Sequence, residues 1–187
     1  MPVNDANRSQ NTHESDLDTP ILSCAGPGSA VYCKKKQNDG GMDMKKKPSE
    51  RIKEKILRNG GSAVVSSLTG KTYEIRHCND GRSFLCDELP ITPPYTYDVF
   101  DVIVDLLVRQ GGKAMKGSGR SAKLGEPRCE ETTVVGAIAK NYAGKRIGES
   151  VFDPVFVMAA VLEWADIAHN RRGYLELTAN YRTNGRN

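Results

Sequence analysis

The chain predicts an α+β protein, and three features of its 187 residues carry that expectation. Between residues 62 and 89, short runs rich in β-branched and aromatic residues are broken by glycine-containing turns, the pattern of a small antiparallel meander. From residue 97 the apolar spacing changes to that of an amphipathic helix. Further along, "PVFVMAAVLEW" is apolar on every side, as a helix enclosed in a core is.

Residues 1–49 are rich in Asn, Asp, Ser, Gly and Lys, and "CAGPGSAVYCKKK" is their only weakly apolar patch. Too little can be buried there to offset the entropy of ordering, so a disordered tail is expected. The hydrophobic content of 38% is low for a fully folded chain, with the deficit concentrated in this segment. "MDMKKKPSERIKEKIL" reads as a second beginning, with translation starting at Met42 or Met44.

Residues 50–95 are expected to hold a short helix and the meander. Ile52, Ile56 and Leu57 are placed on one helix face, and "NGG" at Asn59 to Gly61 ends it, since Asn and Gly tolerate the left-handed conformation. The strand runs are "SAVVSS", "KTYEIRHC" and "RSFLCDEL", and Asp80-Gly81 between the last two fits a two-residue type I′ turn. That turn sets Cys78 opposite Ser83 and Ile75 opposite Cys86.

Residues 96–182 are expected to form a trihelical domain, and 183–187 a disordered end. "YDVFDVIVDLLVRQ" puts Val99, Val102, Ile103 and Leu106 on one stripe, opposite Asp98, Asp101 and Asp105, until Gly111-Gly112 stops the helix. A second helix, Thr132 to Tyr142, turns Val134, Val135, Ile138 and Tyr142 inward. Asp153-Pro154 supplies an N-cap and a first-turn proline for the third. "HNRRGYLELT" then reads as a turn and a closing strand with Tyr174, Leu175 and Leu177 as its apolar members.

Three helices, a basic turn and a strand in this order resemble the winged-helix branch of the helix-turn-helix superfamily. The helices would be Tyr97 to Gln110, Thr132 to Tyr142 and Asp153 to Ala168, with the wing from His169 to Thr178. The resemblance implies a DNA-binding domain with the third helix as its reader. This third helix departs from that role, because it carries no basic residue and meets only Glu163 and Asp166 after its apolar run. Its residues, Trp164 included, are expected in the core or against a protein partner or second copy of the chain.

Net charge is mild, +4 from 27 Lys and Arg against 23 acids, so any polyanion contact depends on where the cations sit. They gather at turns. "GGKAMKGSGRSAKLGEPR" carries Lys113, Lys116, Arg120, Lys123 and Arg128; the end of the second helix has Lys140, Lys145 and Arg146; the wing has Arg171 and Arg172. Flexible cations suffice for phosphate contacts, so a DNA-binding or nucleoprotein accessory role through these loops is the leading expectation. Docking of a protein on the apolar third helix is the alternative.

Chemical signatures are sparse. A Walker-type phosphate loop needs Lys directly after its last glycine, whereas Gly117 is followed by Ser118 and the stretch is entered from a helix. Cys78 and Cys86 fall on opposite faces of the hairpin and cannot share an ion with His77. Cys129 has Glu130 and Glu131 beside it, which raises a thiol pKa. Glu74, Asp87 and Glu88 are the acids a nuclease-like centre would draw on, but no acid-x-Lys follows on a strand. No cofactor and no catalytic residue are expected. Five cysteines at irregular spacing, and a start "MPVNDANRSQ" without basic or apolar blocks, point to the cytoplasm. No apolar run approaches the roughly 20 residues of a membrane span.

Overall fold

The computed structural model describes residues 46–182. The expected tail and the Met42 or Met44 start lie outside the described residues except for 46–49, as do 183–187. Helix α1 starts at Pro48 and runs to Arg58, so two residues assigned to the tail are already helical. Glu50 accepts the Lys47 N–H at 3.3 Å, with Lys55 and Arg58 near the carbonyl end, as the helix dipole favours. Ile52 and Ile56 are fully buried, but Leu57 is 45% exposed. One position round from Ile56, it lies about 100° off the buried stripe.

Strands β1 (Ser62–Ser66), β2 (Thr72–His77) and β3 (Phe84–Leu85) form an antiparallel sheet in that order. Ala63 pairs with Ile75 and Val65 with Tyr73, all four side chains facing the core. His77 pairs with Phe84, which continues to Cys78 opposite Ser83 as expected. The turn itself differs. Only Gly81 has a positive φ, the Gly81 N–H bonds the Cys78 carbonyl at 3.0 Å, and Asp80 Oδ1 accepts the N–H groups of Arg82 and Ser83. A type I′ turn needs positive φ at both central residues, and the Asp80 carboxylate holds a wider loop in its place.

Phe84 ties this sheet to the remainder of the chain. Its ring lies 5.3 Å from Tyr97, 5.5 Å from Phe100 and 6.3 Å from Tyr95, and Tyr95 stacks on Tyr142 at 5.3 Å. Helix α2 (Asp98–Arg109) buries Val99, Phe100, Ile103, Val104, Leu106 and Leu107, while Val102 is only partly covered. Ser49 donates from its N–H and hydroxyl to Asp101 at 2.8 and 2.7 Å, joining α1 to α2. One core therefore runs from Ile52 to Leu177, and the boundary after residue 95 falls inside it.

Beyond Gly112 the chain does not enter a loop at once. Lys113–Met115 form strand β4, antiparallel to a later strand. Helix α3 (Val134–Ala137), capped by Thr133 Oγ1 on the Gly136 N–H at 3.1 Å, continues as a π-helical turn over Ile138–Tyr142. Val134, Val135 and Ile138 point inward, and the Tyr142 hydroxyl accepts the Thr96 N–H at 2.7 Å.

Helix α4 (Val155–Trp164) follows Asp153, whose Oδ1 accepts the Val155 N–H at 3.1 Å. It stops four residues short of the expected end, because Asp166 takes a left-handed conformation and Ala168 already belongs to β5 (Ala168–Arg171). β5 and β6 (Tyr174–Leu177) form a hairpin with Gly173 at positive φ, so His169 to Arg171 are strand rather than turn. The second sheet has the order β4-β6-β5, and α5 (Ala179–Arg182) closes the described chain. Among the described residues the architecture is α+β with two antiparallel sheets. No helix among the described residues is long and apolar enough to cross a membrane.

Candidate nucleic-acid interface

The stretch after β4 is glycine-rich yet firmly packed. Leu124 is buried to 1%, and the Gly119 N–H donates to Asp153 Oδ2 at 2.9 Å. A second loop, between α3 and α4, runs alongside it: Leu124 N–H bonds Glu149 O at 2.9 Å, Gly148 N–H bonds Leu124 O at 2.8 Å, and Val151 N–H bonds Ala122 O at 3.1 Å. Two basic loops distant in sequence are thereby laced into one surface.

Each loop contributes the same four-residue turn, Lys123-Leu124-Gly125-Glu126 in one and Arg146-Ile147-Gly148-Glu149 in the other. Both glycines have positive φ. In both, the Glu side chain reaches back to the N–H of the basic residue, at 2.8 Å for Lys123 and 2.6 Å for Arg146. The consequence is electrostatic. Each carboxylate is occupied by a backbone donor, and the neighbouring cationic side chain is left facing water. The repeated [Lys/Arg]-[Leu/Ile]-Gly-Glu pattern was present in the sequence as a signal and was missed there.

The expected site residues divide into two groups. Arg120, Lys123, Lys145, Arg146, Arg171 and Arg172 are exposed and make no ion pair among the described residues. The others have internal partners. Lys116 donates to Asn170 Oδ1 and to the Arg171 carbonyl, anchoring the β5–β6 tip, and burial lowers its pKa against the opposing pull of Glu163. Lys140 pairs with Glu131. The Lys113 ammonium sits 3.8 Å above the Tyr174 ring. These three are structural cations first.

The third helix presents little of itself at the surface. Val155 and Val157 to Leu162 are buried within the chain's own fold, leaving Phe156 and Glu163 exposed. Strand β1 lies against α4, Tyr73 tilts against Phe156 at 5.8 Å, and Lys55 covers the half-buried Trp164 at 4.3 Å from its ring while donating to its carbonyl.

Two clefts flank Arg128. One, of about 480 Å³, also touches Gly173 at the hairpin tip; the larger, of about 820 Å³, includes Arg120, Phe152 and Phe156. The hairpin tip, Arg128 and Arg120 thus border neighbouring clefts.

The acids weighed for hydrolysis form a different arrangement. Glu74 and Asp87 converge on the Arg76 guanidinium at 3.1 and 2.6 Å, and Glu88 faces Lys71 at 3.5 Å. Burial pushes the Cys86 thiol up to about 11 and raises those of Cys78 and Cys129. No cluster of His, Cys, Asp and Glu suited to a metal ion occurs among the described residues. Compared with known proteins, the chain matches no family model, no curated protein and no solved structure.

Proposed function

We propose that the unit from α2 to β6 is a winged-helix domain and that the protein is a non-enzymatic DNA-binding or nucleoprotein accessory protein. It grips duplex phosphates through the twin turns and the β5–β6 tip. The order of three helices and a closing hairpin supports the first part. The observation that carries the second is the pair of laced turns, in which acids are held by backbone N–H groups and Lys123 and Arg146 stay unpaired. Binding of this kind is sequence-tolerant, since phosphates position a protein without identifying bases. Base reading by α4 is no part of the proposal.

The test is duplex affinity between 50 and 200 mM salt. A phosphate-driven complex gives a log-log slope of about 0.9 per phosphate neutralised. Changing Lys123, Lys145, Arg146 and Arg172 to Ala together is expected to flatten the slope by roughly 3 to 4. No binding at low salt, or an unchanged slope, refutes the proposal.

A further inference from the structure

The larger cleft has a composition that phosphate binding alone does not require. Phe152 is 45% and Phe156 43% exposed, and both line it together with Arg120 and Arg128. Exposed aromatic rings beside arginines form a surface suited to a flat, anionic ligand. The acids in the same lining are already engaged. Asp153 accepts the N–H groups of Gly119 and Val155, while Glu88 faces Lys71 and accepts the Cys86 S–H at 3.3 Å. Arg120 and Arg128 make no ion pair among the described residues and are the cations the cleft offers to an anion.

The backbone that presents them is constrained. Ser121, directly after Arg120, and Arg128 itself have φ of 54° and 69°, an uncommon conformation for residues other than glycine. The Arg128 carbonyl is held by the Ser118 N–H at 2.7 Å. Strained positions of this kind gather where a chain presents groups to a ligand. At about 820 Å³ the cleft falls within the size range of ligand sites.

We infer that this cleft holds an unpaired nucleotide, its phosphate between Arg120 and Arg128 and its base against Phe152 and Phe156. The ligand is then a duplex with a single-stranded extension. The duplex lies on the twin turns and the first unpaired nucleotide enters the cleft. This inference rests on the proposed nucleic-acid role and narrows it. Arg128 lines both this cleft and the cleft at the hairpin tip, so a ligand carrying successive phosphates can meet it from either side, which favours a nucleic acid over an acidic peptide.

The experiment compares a blunt 15-base-pair duplex with the same duplex carrying three-nucleotide 3′ or 5′ extensions, and with extensions made of abasic sites. Fluorescence anisotropy at fixed salt gives each affinity. One overhang polarity is expected to bind roughly 5- to 100-fold tighter than the blunt duplex, the range for one stacked base, and its abasic counterpart to bind like the blunt one. Phe152→Ala is expected to abolish the preference while leaving blunt-duplex affinity unchanged. Phe152→Leu, which keeps apolar bulk without the ring, is expected to lose most of it, and matching thermal melts confirm that both variants fold. Equal affinity for blunt and extended duplexes, or a preference that survives in the abasic substrate or in Phe152→Ala, overturns the inference while leaving the phosphate role intact. Failure to bind any of the duplexes at low salt overturns the phosphate role itself. Binding of an acidic decapeptide carrying phenylalanine, abolished by Phe152→Ala with no overhang preference, assigns the cleft to a protein ligand instead.

Discussion

Replacing Gly117 by Ala tests whether the loop after β4 is a packed element of the fold. Gly117 has φ +74°, and a Cβ there would meet Arg128 O at 2.5 Å, Thr133 Oγ1 at 2.7 Å and Val135 Cγ1 at 2.7 Å, well inside the 3.4 Å at which ordinary contact begins. The left-handed conformation costs an alanine about 1 kcal/mol. Forcing a methyl into filled space costs about 1–3 kcal/mol more, because one of the obstructing groups is backbone and another is the cap of α3. The sum is roughly 2–4 kcal/mol out of a total stability of about 5–15 kcal/mol. Gly144→Ala is the control, since φ is +65° but nothing lies within 4 Å. It is expected to lose about 1 kcal/mol, from the backbone alone. Urea unfolding of both variants, analysed with a shared slope, isolates the packing contribution. Equal losses in the two would refute the claim that this loop is close-packed.

Two further predictions concern titration. Hydrogen bonds from the Ser83 hydroxyl and the Arg82 and Ser83 N–H groups lower the Asp80 pKa to about 2 from an ordinary 3.8. Because the folded value lies below the unfolded one, the stabilisation is full above about pH 4 and fades as pH falls towards 2. The gap in urea midpoint between wild type and Asp80→Asn is expected to close over that interval, and a gap constant with pH would contradict it. Cys86 and Cys129 are buried with raised thiol pKa values, so both are expected to resist iodoacetamide at pH 8 until the protein unfolds. Peptide mass mapping reads this directly, and rapid native labelling of either would contradict their placement.

Local signals carried part of the structure well. Period-two alternation gave the inward faces of β1 and β2, and the residue count across Asp80-Gly81 gave the hairpin register even though the turn is wider. The all-apolar run of α4 implied its burial. Long-range partners were illegible. Lys113 to Met115 is too short to show alternation, and its strand character comes from β6, some sixty residues later. Leu124, a lone leucine among glycines and charges, is buried only because the 147–151 segment folds against it. At the candidate site, residue type identified the cations. Which of them had internal partners depended on Asn170, Glu131 and Tyr174, whose proximity no local pattern encodes.

The burial of α4 has a consequence for how the chain can be divided. A helix apolar on all sides must be covered on all sides, and here α1 and the first sheet supply one of the covers. Ile52, Ile56, Ile75 and Phe84 are each at most 1% exposed and come from the segment before residue 96. At about 1.5–3 kcal/mol for each large apolar side chain buried, these four contribute roughly 6–12 kcal/mol, comparable with the net stability of a domain. A fragment starting at Thr96 would keep all the elements of the proposed winged helix, yet it would lose the Ser49 bonds to Asp101 and the aromatic cluster around Phe84. It is expected to be aggregated or molten, binding a hydrophobic dye and lacking a cooperative melt, whereas a chain starting at Met44 melts cooperatively. A soluble 96–187 fragment with a sharp thermal transition would show that α4 can be closed without the first sheet, and that the trihelical unit is an independent domain after all.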